Sequence, residues 1–231
     1  MSGALSAEDW QAIVLSLKIA TVASLACLPF AILTAYCLAR LRFKGQMLLN
    51  VIVHLPLVLP PVVTGYGLLI LFGRNGPLGL ALEQCCGLVF SFRWTGAALA
   101  SAIMAFPLMV RTIRLSLEQV DQGFEQAAAT LGAPPLAIFF NITLPLAFSG
   151  LVSGLLLGFA KALGEFGATI TFVANIPGQS RTIAASIYSY TQVPDGEGPA
   201  LTLAVISVAI SVIALVLSEV LLRRMDRQRK A

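Results

Sequence analysis

The amino-acid sequence predicts an all-α, polytopic membrane protein with about five transmembrane helices, in one transmembrane domain that covers residues 1–231. Of its 231 residues, 58% are hydrophobic and 11% are charged, and the mean hydropathy is +0.88. These values lie far outside the range of soluble proteins. Long apolar runs alternate with short segments that hold most of the charges. The membrane domain therefore leaves no room for a separate soluble catalytic domain.

The first predicted span runs from Ile13 to Leu38 and ends in a basic cluster. Ser6 and Asp9 precede it at the spacing of a helix-capping arrangement. We expect residues 1–12 to lie on the periplasmic side. They carry no basic residue ahead of the apolar run, so they do not resemble a cleavable signal peptide.

The second predicted span, Met47 to Phe72, contains three prolines and two glycines within its last 17 residues. Proline leaves backbone groups without hydrogen-bond partners, and hydrocarbon does not tolerate such groups unless protein or a wet cavity satisfies them. We therefore predict a broken helix in the protein interior. Thr64 and Tyr66 would then offer hydroxyl groups to a passing solute, although a kinked packing helix explains the same residues as well.

The third and fourth predicted spans are Trp94 to Val110 and Leu146 to Val173, and residues 73–93 before them are predicted to be a loop. In the fourth span a glycine recurs at every fourth position. Such a row lies on one face of a helix and lets another helix approach closely. The predicted packing residues are Gly150, Gly154 and Gly158.

The fourth span also contains Lys161 and Glu165, which lie four residues apart at membrane depth. Each charge costs roughly 2.5 to 3.5 kcal/mol in the centre of a bilayer by insertion scales. We therefore expect the two side chains to face the interior or a wet path and to pair with each other. The pair either fixes the register of the helix or belongs to a solute pathway.

A fifth predicted span, Ala200 to Leu222, follows an outer segment with a short surface helix near Ile183 and Tyr190, and residues 223–231 form a basic cytoplasmic tail. With the N-terminus outside, ten Lys and Arg residues lie in inner segments and three in outer ones, which obeys the positive-inside rule. The inner ones are Arg40, Arg42, Lys44, Arg111, Arg114, Arg223, Arg224, Arg227, Arg229 and Lys230; the outer ones are Arg74, Arg93 and Arg181.

The charge count places residues 118–145 in the cytoplasm, between the third and fourth spans. Apolar residues at helical spacing predict a short amphipathic helix that ends near Leu131, and Gly132 is a natural helix stop. A second short helix is predicted from Leu136 to Ile142. This helix, turn and helix would fit a groove on a partner protein.

The same stretch resembles the cytoplasmic loop of permease subunits of ATP-binding-cassette importers, which has the form E-A-A, three residues, Gly, nine residues, I-x-L-P. Gln126 stands where that pattern has its glutamate, and Glu125 lies one residue earlier, so the salt bridge that the pattern implies is not assigned to position 126. The positions that match are Ala127, Ala128, Gly132, Ile142, Leu144 and Pro145.

A closer resemblance, to the membrane subunit of bacterial molybdate importers, extends from Pro56 to Ile183. It rests on the segments LPLVLPPVVTGYGLL, FPLMVRTIRLSLEQVD, EQAAATLGA, TLPLA and LGEFGATITFVANIPGQSRTI. The element GEFG, Gly164 to Gly167, is also similar to sulfate and tungstate permeases. The resemblance implies a type I ABC importer permease that forms a homodimer in the bacterial inner membrane. It also implies two copies of a separate ATPase subunit and a periplasmic oxyanion-binding protein.

The resemblance and the residues together give the expected sites. The sequence has no G-x-x-x-x-G-K-[ST] phosphate loop, so we expect ATP to be bound and hydrolysed by the partner and no cofactor by this chain. We expect no catalytic or metal site and no nucleic-acid partner. The ATPase-coupling residues are Glu125, Gln126, Ala127, Ala128, Leu131 and Gly132; the candidates for the translocation pathway or gate are Thr64, Tyr66, Met104, Phe106, Lys161 and Glu165.

Three other functions remain open from the sequence. The transported anion could be sulfate, thiosulfate or tungstate. A polytopic membrane enzyme would need His54, Lys161 and Glu165 to converge as acid and base groups, and no nucleophile or metal-ligand pattern accompanies them. A passive channel is the third alternative.

Overall fold

A computed structural model describes the backbone of residues 5–230 and the side chains of residues 5–217 and 220. Within this range the chain is helical without β-strands, as the sequence predicts. The side chains of the basic tail lie outside the described residues. The helices are α1 (Ala7–Arg40), α2 (Gln46–Val58), α3 (Pro61–Phe72), α4 (Pro77–Cys86), α5 (Trp94–Gln119), α6 (Gln122–Thr130), α7 (Pro135–Ile138), α8 (Leu144–Leu146), α9 (Phe148–Leu163), α10 (Gly167–Val173), α11 (Ile183–Tyr190) and α12 (Glu197–Lys230).

The described residues contain three helices that are long and apolar enough to cross a membrane, namely α1, α5 and residues 197–217 of α12. The number rises to five if each of two bent helix pairs counts as one span, which agrees with the predicted five. We call the end of the bundle where α1 begins the outer end, and the end where α1 finishes the inner end.

Helix α1 begins where the sequence predicts a cap. The hydroxyl of Ser6 accepts a hydrogen bond from the backbone N–H of Asp9 at 3.1 Å, and the Asp9 carboxylate accepts one from the backbone N–H of Ser6 at 2.9 Å. This reciprocal pair satisfies donors that the first turn of a helix leaves free. The helix has 34 residues, a length of about 51 Å at a rise of about 1.5 Å per residue.

The centre of the bundle is formed by α1, α5 and α9. Helix α9 turns its glycine row toward α5, so the two backbones approach closely and the larger α5 side chains fill the space. A Cβ built on Gly154, for example, would lie only 2.9 Å from Cγ1 of Ile113. The other two contacts in the row join Gly150 to Ser116 and Gly158 to Met109.

The second span is broken, as predicted, with a bend of 112° between α2 and α3. Val53 of α2 packs in the inner core cluster with Leu38, whereas Leu68 of α3 packs in the outer cluster with Ile19. The two halves together therefore lead from the inner end to the outer end. The prediction that this span is interior is wrong for a single chain, because most of its side chains are exposed.

The fourth span is also broken, which the sequence reading missed. The predicted run from Leu146 to Val173 is interrupted at residues 164–166, between α9 and α10. At its inner end, the segment Pro135–Leu146 is bent by 70° from α9. The predicted helix Leu136 to Ile142 is instead α7 followed by a π-helical turn, Phe139–Thr143.

Three other expectations need correction. Helix α5 continues past Val110 to Gln119 because Ile113 and Leu117 extend its buried face beyond the first arginine. The predicted loop 73–93 contains α4, which starts with a proline in its first turn. Helix α11 is not a surface helix, since Ile183 is buried and its N–H donates to the hydroxyl of Ser16 at 2.8 Å.

We predict that Gly65→Ala destabilises the protein while Gly67→Ala, in the same helix, does not. A Cβ at Gly65 would lie 2.5 Å from the backbone oxygen of Ala168 in α10, which cannot move away as a side chain can, whereas nothing lies within 4 Å of a Cβ at Gly67. Overpacking of this kind costs about 1–3 kcal/mol. Thermal unfolding of the two purified variants in detergent tests this, and equal melting temperatures would contradict it.

Candidate functional site

The turn between α6 and α7 adopts the geometry that its glycine predicts. Gly132 has a φ of +82°, a left-handed conformation that glycine adopts without strain. Its N–H donates to the carbonyl of Ala129 at 3.0 Å, and the N–H of Ala133 donates to the carbonyl of Ala128 at 3.1 Å. This is the Schellman pattern, which satisfies the last carbonyls of a helix and ends it sharply.

Around this turn lies an exposed apolar surface at the inner end, which we call the coupling surface. Its four large side chains are between 58% and 88% exposed. Exposed apolar clusters of this kind commonly mark protein interaction sites. Ala127, Gln126 and Gly132 are exposed beside them and Ala128 is half-buried. The four large residues are Phe124, Leu131, Leu136 and Phe140.

Glu125 does not belong to that surface. Its Oε1 accepts a hydrogen bond from Nη2 of Arg40 at 3.1 Å and another from the hydroxyl of Thr143 at 2.8 Å. Successive side chains on a helix are rotated by about 100°. The glutamate therefore faces the protein, whereas Gln126, one residue later, faces outward. The sequence reading counted Arg40 only as an inner charge and gave Thr143 no role.

The break between α9 and α10 contains the charged pair that the sequence singled out. Nζ of Lys161 lies 2.7 Å from Oε2 of Glu165, and Oε1 of the same carboxylate accepts the N–H of Ala168 at 3.0 Å. The side chain of Glu165 is 2% exposed and that of Lys161 is 32% exposed. Glu165 thus stabilises the start of α10 while it neutralises the lysine.

The two helix breaks lie against each other. Gly65 of α3 contacts the backbone of Ala168 in α10, and Gly167 contacts the side chain of Pro61. On the other side, the α2–α3 break is open, and Val58 beside it is 81% exposed. The interrupted backbone of this span therefore lies on the surface of a single chain.

The remaining pathway candidates have different environments. The side chain of Tyr66 is exposed, whereas the hydroxyl oxygen of Thr64 is buried and has no hydrogen-bond partner among the described residues. Met104 is packed inside the outer core cluster, so in this structure it lines no open space. Phe106 lines an apolar groove of about 560 Å³ between α1, α2 and α5, whose lining offers an oxyanion few donors.

A polar network holds the outer end together. Arg181 pairs with Glu8 at 2.7 Å, and the hydroxyl of Tyr190 donates to the carboxylate of Asp9 at 2.9 Å. Burial, and then the nearby Asp9, raises the pKa of the Tyr190 phenol, which therefore stays protonated and keeps donating. The start of α1 is thus tied to the segment that follows α10.

No cluster of three or more His, Cys, Asp or Glu side chains that could hold a metal ion occurs in the part of the chain that the structure describes. The ring of His54 contacts the carbonyl oxygen of Asn50 at 2.8 Å, within its own helix. Cys85 and Cys86 lie at the end of α4 as free thiols.

Comparison with known proteins places this geometry in context. The family model of the binding-protein-dependent transport system inner membrane component matches residues 28–227. The molybdenum transport system permease protein ModB of Escherichia coli K12 is 53% identical over 225 residues, which are 97% of this chain and 98% of that protein. The sulfate transport system permease protein CysT of Salmonella typhimurium is 38% identical over 173 residues, which are 75% of this chain and 62% of that protein.

The fold also matches solved transporters. A bacterial alginate ABC transporter, solved in complex with an alginate pentasaccharide-bound periplasmic protein, aligns with a TM-score of 0.70 at 18% sequence identity. The alignment covers 96% of this chain and 80% of that one. At this identity the match supports the fold alone.

We predict that Lys161→Met destabilises the protein more than the double change Lys161→Met with Glu165→Gln. The single change leaves a buried carboxylate without its cation, which costs about 3–5 kcal/mol, whereas removal of both charges avoids that cost. Thermal unfolding in detergent measures the difference. If the double variant is as unstable as the single one, the loss of stability does not come from leaving the Glu165 carboxylate without its cation.

Proposed function

This chain belongs to the family of inner membrane components of binding-protein-dependent transport systems, and on that premise we propose that it is the permease subunit of an ATP-driven molybdate importer. The observation that supports molybdate as the substrate is the sequence identity to a molybdenum permease along nearly the whole length of both chains. Sulfate is the second candidate, supported by the lower and shorter similarity to a sulfate permease.

The proposed energy source is a separate ATPase that binds the coupling surface. This chain has no phosphate loop of its own, so the proposal assigns ATP binding and hydrolysis to the partner and no cofactor to this subunit. The coupling surface is apolar, exposed and held by a sharply ended helix, which suits a groove on another protein. With the inner end in the cytoplasm of a bacterium, the ATPase would be on the correct side of the inner membrane.

A second copy of this chain is the proposed cover for the open helix break. Backbone groups freed by Pro60 and Pro61 cannot face hydrocarbon, and Val58 and its neighbours are exposed in the single chain. A homodimer with its two-fold axis beside α2 and α3 would place both breaks around a shared path. A periplasmic binding protein would deliver the oxyanion at the outer end.

In this proposal the path binds a dianion only weakly. Lys161 is partly exposed, but Glu165 neutralises it at 2.7 Å, so a passing anion meets donors without an uncompensated charge. A transport path needs binding that is weak enough for release. Normal transport by a variant with both charges removed would leave the pair a purely structural role.

Closure of the ATPases would move the coupling surface and, through rigid helices, open the path.

The decisive experiment reconstitutes the chain with its ATPase in liposomes and supplies labelled molybdate with the periplasmic binding protein. We expect ATP-dependent accumulation of molybdate, which excess sulfate inhibits only weakly. We also expect the mass of the complex to correspond to two copies of this chain. Stronger competition by sulfate would favour the second candidate. Flux that is independent of ATP would contradict an importer and support a channel.

We predict that Gly132→Val weakens co-purification of the ATPase and abolishes uptake, while Gly87→Val does not. Both glycines end a helix with positive φ, +82° and +65°, and a Cβ at either meets nothing within 4 Å. Each substitution therefore imposes a similar backbone strain of about 1–3 kcal/mol. Only Gly132 lies in the coupling surface, so equal losses in the two variants would show an effect of strain alone.

A further inference from the structure

We propose that Arg40 and Glu125 form a tether that passes movement of the coupling surface to the inner ends of α1 and α5. The tether rests on the proposed function, because it concerns how that function is driven. Both residues act through the helices they join and contact neither ATP nor the anion.

The tether joins four separate elements at one point. Nη2 of Arg40, the last residue of α1, donates to the carbonyl of Val120 just after α5 at 3.0 Å and to Oε1 of Glu125 in α6 at 3.1 Å. The hydroxyl of Thr143, in the π-helical turn, donates to the same carboxylate oxygen at 2.8 Å. A displacement of α6 must therefore move these partners or break the contacts.

The environment of the pair makes separation costly. The side chain of Arg40 is 7% exposed and that of Glu125 is 19% exposed. Nε of Arg40 is buried without a hydrogen-bond partner among the described residues, and the hydrogen bonds of this guanidinium to described residues come from Nη2. A buried charge that loses its partner is strongly destabilised. The ends of α1 and α6 should accordingly move as one body.

A second arginine–glutamate pair at the inner end differs from the tether in its exposure and in its place within a single helix. Arg114 and Glu118 pair at 2.7 Å, but they lie four residues apart on α5 and both side chains are about one third or more exposed. Such a pair mainly stabilises its own helix, and only slightly. Nη1 of Arg114 also donates to the side-chain oxygen of Asn50 in α2, but at a longer distance of 3.3 Å. Arg40 and Glu125 are 85 residues apart in the chain.

The tether also accounts for the displaced glutamate. At position 126 a glutamate would face outward, beside the coupling surface, whereas the carboxylate at position 125 faces Arg40. Contact with the ATPase is then left to the apolar residues. The charge instead fixes the coupling helix to the membrane helices.

The test measures molybdate accumulated per ATP hydrolysed in liposomes that contain the full complex, with Glu125→Gln, Arg40→Gln and the double variant. We expect each single variant to assemble and hydrolyse ATP while this ratio falls about fivefold, the size expected for residues along a coupling network. The double variant should lose no more than either single variant, because the two side chains act through each other. Glu8→Gln, which removes a carboxylate from an arginine pair at the outer end, is the matched control and should keep the wild-type ratio.

A wild-type ratio in an assembled Glu125→Gln complex would overturn the tether, and so would additive losses in the double variant. If the single variants fail to assemble, assembly of the double variant supports the pair and its equal failure overturns it. Failure of the wild-type complex to accumulate molybdate would instead contradict the proposed function.

Discussion

The constraint on which this structure depends is that backbone polar groups in hydrocarbon need partners. Helices α1, α5 and α12 meet it as continuous helices of 34, 26 and 34 residues, in which Pro29 of α1 and Pro107 of α5 each remove one helical hydrogen bond. The two remaining spans are broken, and they meet it by packing α3 against α10, where Gly65 lets the backbone of Ala168 come close. In the proposed homodimer, the second copy would cover what this packing leaves open, at the same prolines that break the helix.

The rest of the bundle acts as a rigid frame for these breaks. The glycine row of α9 brings α5 so close that ordinary side chains at those positions would collide, and α1 packs along both helices. Close packing without voids transmits displacement instead of absorbing it. The proposed tether joins this frame to the coupling surface at Arg40. A movement of the coupling surface would therefore reach the helix breaks through rigid elements.

Features set by short-range chemistry could be predicted from the sequence. The cap at Ser6, the helix stop at Gly132 and the broken second span all follow from residue types a few positions apart. Features set by tertiary contacts could not. Helix α5 runs nine residues past Val110 because its buried face continues, and the break before α10 depends on the carboxylate of Glu165 reaching the N–H of Ala168. Arg40 meets Glu125 across 85 residues, and no local pattern indicates that contact.

The two buried ion pairs differ in a way that suits their different places. The carboxylate of Glu165 holds a lysine on its own helix and starts the next short helix, so both charges stay within one break and cancel there. The carboxylate of Glu125 holds an arginine that lies 85 residues away in the chain, so the pair joins elements that are distant in sequence. Breaking either pair exposes a charge to a poorly solvated site at a cost of several kcal/mol. In the proposed mechanism, that cost would keep a passing anion from displacing the glutamate in the first case, and would keep α6 from moving alone in the second.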